Sequence, residues 1–483
     1  MFIGIDLGTS GVKVVLMDEA GQIVGSETAS LSVSRPAPLW SEQEPQDWWD
    51  ATVQAMDALS SAVSLSDVQA IGLSGQMHGA TVLDIDGNVL RPAILWNDGR
   101  SFAECAELEA DVPNSREITG NIMMPGFTAP KLKWLQKNEP ACFTKIAKVL
   151  LPKDYLRYCL TGDYASDLSD SAGTMWLDVA KREWSHELLA ATGLTEDHMP
   201  ALFEGSEITG TLNAEFAEQW GMPCVPVVAG GGDNAAGAIG VGIINPGQAM
   251  LSLGTSGVYF AVSDGFLANP DSALHSFCHA LPGTWHSMSV ILSAASCLDW
   301  VVELTGAEDV PSLIAEVEAM PKSQSDVVFL PYLSGERTPH NNPTAKGVFF
   351  GMTHSTKRAD LGRAVLEGVG FAFADGFDAL HAAGMEPEEV VLIGGGARSA
   401  YWRQMLADIT GKNMTYREGG DVGPALGAAR LAYLSVATDK AIADICPVPR
   451  LVETHHVNAE KHAQYAIERT KFKALYQQLK GLF

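Results

Sequence analysis

The chain has 483 residues, with 32 Lys and Arg against 58 Asp and Glu, a formal net charge of −26. That surplus repels a nucleic-acid backbone and an anionic membrane surface, yet still allows a small anion held by backbone N–H groups and a metal ion. Apolar residues make up 46% and charged residues 19%, which excludes extended disorder, and the length predicts two or three domains rather than one core.

The first apolar stretch, Phe2, Ile3, Ile5 and Leu7, predicts a strand. Gly8-Thr9-Ser10-Gly11 predicts a turn, Val12 to Met17 a second strand, and Ile23-Val24 a third, making a meander. A helix opened by Pro45 follows over 47–63, with Trp48, Thr52, Val53, Met56 and Leu59 on one face. Residues 68–73 read as a buried strand leading into Ser74-Gly75-Gln76-Met77-His78-Gly79. The apolar strand 225–229 ends in Gly230-Gly231-Gly232-Asp233-Asn234, and a helix starts at Ala235. Residues 234–263 carry no charge, but Asn245, Pro246, Gln248 and several glycines interrupt them, so they predict core elements rather than a membrane span. The turn Asn245-Pro246-Gly247 predicts a boundary between domains 1–245 and 246–483.

The second half opens like the first. Ala249 to Leu253 predicts a strand, Gly254-Thr255-Ser256-Gly257 a turn and Val258 to Val262 the returning strand, so LGTSGV occurs at both 7–12 and 253–258. A repeat at half the chain length predicts two homologous α/β domains. Val390 to Ile393 reads as a strand ending in Gly394-Gly395-Gly396. Ala400 to Thr410 reads as a helix closed by Gly411, another helix starts at Pro424, and the segment after Val457 reads as a polar surface helix.

Seven cysteines, at 105, 142, 159, 224, 278, 297 and 446, form no CxxC pair and predict reduced thiols in a cytoplasmic chain. MFIGIDLGTSG lacks the basic region of a secretory signal, so none is expected. The segment His275-Ser-Phe-Cys278-His279 would crowd three metal ligands within five residues, and it reads instead as a strand and turn.

The P-loop pattern is absent, and Gly8 and Gly11 lead into a strand rather than a helix, which excludes the dinucleotide fingerprint. Glycine-flanked hairpins leave consecutive N–H groups free to hold an anion. Thr9, Ser10, Thr255 and Ser256 add hydroxyls, while Asp6 would repel phosphate unless a divalent cation lay between them. Asp233 at a helix N-terminus stays ionised, and His78 follows a buried strand where α/β sheets expose ligand contacts. Taken singly, an ordinary hairpin, an Asp N-cap and a satisfied core histidine are the alternative readings.

Taken together the motifs are specific. Ile3 to Lys13 resembles the first phosphate loop of the sugar kinases in the hexokinase, heat-shock-70 and actin superfamily, and Leu253 to Gly257 resembles the second. Gly394 to Ser399 resembles the adenosine loop, with Trp402 and Gln404 on the helix behind it. Gly126-Phe-Thr-Ala-Pro-Lys131-Leu-Lys-Trp134-Leu135, and Gly347-Val-Phe-Phe-Gly351-Met352 with Asp360-Leu361, Ala364 and Glu367, look like the two signatures of the FGGY carbohydrate kinases. Within that family, Trp40-Ser-Glu-Gln-Glu-Pro45, Trp96-Asn-Asp98-Gly-Arg100 and Leu333-Ser-Gly-Glu336-Arg337-Thr-Pro resemble the bacterial D-xylulose kinases. Gly79 stands where glycerol kinases place an acidic residue, which argues against glycerol.

The resemblance implies two ribonuclease-H-like domains facing a central cleft. It also implies transfer of phosphate from ATP, with Mg2+, to a sugar. Asp233 would be the general base. Met77, His78, Asp233 and Asn234 would bind the sugar with help from Trp96 and Asp98. Gly8, Thr9, Ser10, Lys13, Gly254, Thr255, Ser256, Gly394, Gly395, Gly396, Trp402 and Gln404 would bind ATP, and Asp6, with Asp233, would hold magnesium through water. A homodimer is implied on the same footing. Another ketopentose, a pentitol or gluconate as acceptor, or a non-catalytic actin-like ATP clamp, are the competing expectations.

Overall fold

Alternating and continuous apolar runs at Phe2–Leu7, Gly11–Met17 and Ala70–Gly75 suit strands covered on both faces, and all three lie inside one sheet. The computed structural model describes residues 1–320, 326–419 and 423–483. The sheet runs Ile208–Thr211, Pro226–Val228, Ala70–Gly75, Phe2–Leu7, Gly11–Met17, Ile23–Ser30, with the short strand Gly231–Gly232 beside Ala70–Gly75. Phe2–Leu7 pairs antiparallel with the second strand and parallel with Ala70–Gly75.

The second sheet repeats this plan. Its order is His275–Cys278, Trp285–Ile291, Gly257–Ser263, Ala249–Leu253, Glu389–Ile393, Asn413–Arg417, Leu451–His455. Ala249–Leu253 again has an antiparallel hairpin partner on one side and a parallel strand on the other. The duplicated LGTSGV turns therefore occupy equivalent corners of two sheets, so the two-domain α/β fold expected from the repeat is present. The helices Pro45–Ala62, Ala400–Thr410 and Ala459–Leu479 form where periodicity and end signals place them, Gly411 closing the second in the left-handed conformation. His275–Cys278 is a strand, and the uncharged segment folds into Asp233–Gly240 and two strands. Among the described residues no helix is long and apolar enough to cross a membrane.

The halves meet through small residues. Helix Gly423–Val436 lies on the first sheet, where a Cβ on Gly4 would sit 1.9 Å from the Ala425 carbonyl oxygen and one on Gly72 would sit 1.9 Å from that of Ala428. The same helix crosses Asp233–Gly240, where a Cβ on Gly427 would fall 1.7 Å from the Ala236 carbonyl oxygen. Phe2 stacks on Tyr433 with centroids 4.1 Å apart, closing a core shared by both halves of the chain.

Candidate active site

Three neighbouring strands deliver the polar groups to one sheet edge. Register pairs Asp6 with Ser74 and Gly232 with Gly75, so the segments containing Asp6, Gln76–His78 and Asp233 emerge side by side. Asp233 opens its helix, and its Oδ1 accepts from the Asn234 backbone N–H at 2.7 Å and from Asn234 Nδ2 at 2.8 Å. Those bonds favour the carboxylate, but burial outweighs them and raises its pKa to about 6. Asp6 is pushed up to about 7 by burial and by the negative Asp233, with Ser74 and Lys13 opposing. Lys13 stands opposite Asp6 across the hairpin.

Asp6 Oδ1 is buried and has no hydrogen-bond partner among the described residues. A buried carboxylate with an orphaned oxygen, raised further by the negative Asp233 beside it, fits a divalent cation near the pair. Among the described residues no three His, Cys, Asp or Glu side chains gather as a direct ligand set.

Met77 lies between two glycines, since a Cβ on Gly232 would meet its Sδ at 2.9 Å and one on Gly173 its Cε at 3.2 Å. His78 has φ 70°. Its Nδ1 lies 2.9 Å from the Gly173 carbonyl, and a carbonyl can only accept, so Nδ1 carries the proton. Burial, with Lys131 and Arg337, holds the ring well below its ordinary pKa. His78 is thus a neutral imidazole whose Nε2 is an acceptor, suited to a sugar hydroxyl.

The first Gly-Thr-Ser-Gly loop is tied to this side. The Thr9 hydroxyl donates to Gln76 Oε1 at 3.1 Å and accepts from Trp96 Nε1 at 3.0 Å. Gln43 bonds the Thr9 carbonyl at 2.8 Å and Gln76 at 3.0 Å. With the Thr9 hydroxyl so engaged, its backbone N–H and that of Ser10 are the groups left to meet an anion, and among the described residues no backbone carbonyl takes them. In the second loop the side chains of Thr255 and Ser256 are exposed next to Gly254.

A cavity of about 680 Å3 adjoins that second loop. Gly254 and Thr255 line one side, Gly395, Gly396 and Trp402 another, and Ser296, Asp299, Pro311, Ile314 and Glu318 complete it. Its size suits a nucleoside. Gly394 is not in the lining. It turns the chain at φ 88°, close against Leu253.

Two expected side chains lie elsewhere. Gln404 points away from the cavity and donates to Asp408 and to the His456 carbonyl, both at 2.9 Å, because its helix face packs on the C-terminal segment. Asp98 is 2% exposed, and its oxygens are filled by the Ser41 N–H at 2.6 Å, the Arg100 N–H at 2.9 Å and the Arg100 guanidinium at 2.7 and 2.9 Å. It is a structural ion pair with no oxygen left for a sugar. Trp96 is 37% exposed and reaches the site through Thr9.

The sequence carries no local signal for the cavity wall at 295–318, which comes from helices Ser296–Thr305 and Val310–Glu318. Gly173 is equally silent, although a Cβ there would lie 2.3 Å from His78 Cε1.

Residues 1–240 match the N-terminal domain and residues 249–436 the C-terminal domain of the FGGY family of carbohydrate kinases. The chain belongs to the FGGY family. As an FGGY carbohydrate kinase it is 64% identical over 479 residues to a xylulose kinase of Escherichia coli (strain K12), covering 99% of each chain. It is 61% identical to a xylulose kinase of Klebsiella pneumoniae, covering 100% of each. A crystal structure described as a "xyloylose kinase from Brucella ovis" superposes with a TM-score of 0.95 at 51% identity, covering 100% of both chains. In this FGGY chain, Gly395 lines the nucleoside-sized cavity, and a Cβ there would meet no atom of the described residues within 4 Å. Gly395→Leu is therefore expected to fill the cavity without disturbing the fold. The KM for ATP should rise about tenfold or more while that for the sugar holds, as steady-state kinetics with each substrate varied will show.

Proposed function

We propose that this protein phosphorylates D-xylulose to D-xylulose 5-phosphate with ATP as the donor. The full-length identity to two xylulose kinases supports the substrate, and the juxtaposition of Asp233, Asn234, Met77 and neutral His78 carries the chemistry. The 5-hydroxyl oxygen attacks the γ-phosphorus, the bond from that phosphorus to the β–γ bridging oxygen breaks, and ADP leaves. Asp233 accepts the hydroxyl proton. His78 Nε2 and Asn234 orient the sugar, and the two Gly-Thr-Ser-Gly loops receive the phosphates from opposite sheets. Magnesium, when bound, neutralises phosphate charge, and Asp6 with Asp233 would hold it through water. The transition state of such a transfer is loose, so alignment and charge stabilisation supply most of the rate.

On family resemblance alone, we further propose that the enzyme is a homodimer acting in the cytoplasm. Light scattering on a sizing column tests the dimer. A coupled ADP-release assay with D-xylulose, L-xylulose, D- and L-ribulose, xylitol, gluconate, glycerol and no sugar tests the substrate. Strong turnover with D-xylulose alone is expected, and strong turnover with another acceptor overturns the substrate. ATPase activity independent of any sugar is the sign of a clamp.

The base must be ionised to work. With Asp233 raised to about 6, kcat/KM for the sugar is expected to be flat above neutrality and to fall about tenfold per pH unit below that value. A profile flat down to pH 5 contradicts Asp233 as base.

A further inference from the structure

Among the described residues, buried Lys131 has no carboxylate partner within hydrogen-bond reach. Its Nζ donates to the His78 carbonyl at 2.8 Å and to the Gly126 carbonyl at 2.7 Å. The hydroxyl of Thr128 donates to the same His78 carbonyl at 3.1 Å. That carbonyl belongs to a residue at φ 70°, a left-handed conformation that costs a non-glycine residue and persists only when its surroundings hold it. On the other side of the residue the ring is held by the Gly173 carbonyl at 2.9 Å, and Phe127, one residue before Thr128, meets it edge-on with centroids 4.9 Å apart. The helix Thr128–Asn138 thus grips the peptide of His78, and Phe127, the residue that caps it, packs on the ring.

We infer that Lys131 is a positioning residue: together with Thr128 it fixes the His78 peptide in its left-handed turn, so that the imidazole presents Nε2 to a hydroxyl of the sugar.

This rests on the reading of His78 as a sugar contact. A lysine suits the task because two carbonyls converge where no single hydroxyl could serve both, and a burial that lowers its pKa to about 7 still leaves two N–H donors after deprotonation. The nearby Asp98–Arg100 pair contributes opposing fields, Asp98 favouring the ammonium and Arg100 opposing it. Lys131 itself need not touch the substrate, so its removal should act through His78 and through nothing else in the site.

The test is a double-mutant cycle on the full-length enzyme with Mg-ATP and D-xylulose. Lys131→Met keeps the length and removes the donors. It is expected to raise the KM for the sugar about 10- to 100-fold while shifting that for ATP less than about twofold. His78→Ala is expected to do the same, and Lys131→Met added to His78→Ala should change the sugar KM less than about threefold more. If His78→Ala leaves the sugar KM unchanged, the reading of His78 fails. If His78→Ala weakens sugar binding but Lys131→Met does not, or if the two effects multiply, the positioning role alone is overturned. Should Lys131→Met not fold, Thr128→Val, which removes the second donor to the same carbonyl, enters the cycle with the same criterion at a smaller effect.

Discussion

Asp233→Ala is expected to lower kcat by about a thousandfold while the dissociation constant for D-xylulose, read by calorimetry without ATP, moves less than about tenfold. The asymmetry follows from geometry. Asn234 supplies both hydrogen bonds to Asp233 Oδ1, leaving Oδ2 to accept the hydroxyl proton. On the proposed reading, removing the carboxylate abolishes proton acceptance, while His78 and Met77 on a different segment would still contact the sugar. Asp233→Asn should be equally slow, because an amide keeps the shape and loses the basicity. Retention of more than a few per cent of kcat by either variant overturns the assignment. The loss should also relieve Asp6, since Asp233 is one of the causes that raise it, so Asp6 becomes easier to ionise in the variant.

Gly427→Ala is expected to destabilise the protein by about 3 kcal/mol and to slow turnover, although residue 427 touches neither substrate. The added methyl would fall 1.7 Å from the Ala236 carbonyl oxygen. The obstacle is backbone within the helix that Asp233 opens, so it cannot swing aside, and the two helices must part. Moving Asp233–Gly240 moves the carboxylate, and a misplacement on the order of 1 Å can cost about a hundredfold in rate. Gly237→Ala is the control. It lies on the same helix, but its Cβ would have Pro424 Cγ as nearest neighbour at 3.9 Å, an ordinary contact. That change should be neutral or stabilising by up to about 1 kcal/mol, through better helix propensity. Thermal unfolding and kcat of the two variants side by side decide the matter. Equal behaviour would mean that the crossing is not as tight as its glycines imply.

Much of this molecule is legible in the order of its amino acids. The meander, the duplicated glycine hairpin and the helix Ala400–Thr410 depend on short-range spacing, on turns that need small residues and on caps, and all are written within a few positions of chain. The strand end carrying Asp233 is legible for the same reason, although locally its glycines and carboxylate also read as a plain helix N-cap. The matched signatures at 126–135 and 347–367 then agree with the family that both halves of the chain match.

Which polar atoms are already occupied is a matter of long-range packing. Asp98 and Gln404 carry residue types suited to ligands, but their oxygens and nitrogens are committed to Arg100, Ser41, Asp408 and His456, partners up to 57 positions distant. The cavity beside the second loop is assembled from loops and helices around residues 254, 296, 314 and 396, and no local pattern announces such a convergence. The tautomer of His78 is set by Gly173, 95 positions away. Residue type and near-neighbour spacing are therefore enough for the local elements and the duplication. The fold then selects which polar groups are free to act, because a buried polar group takes the partner that packing brings to it.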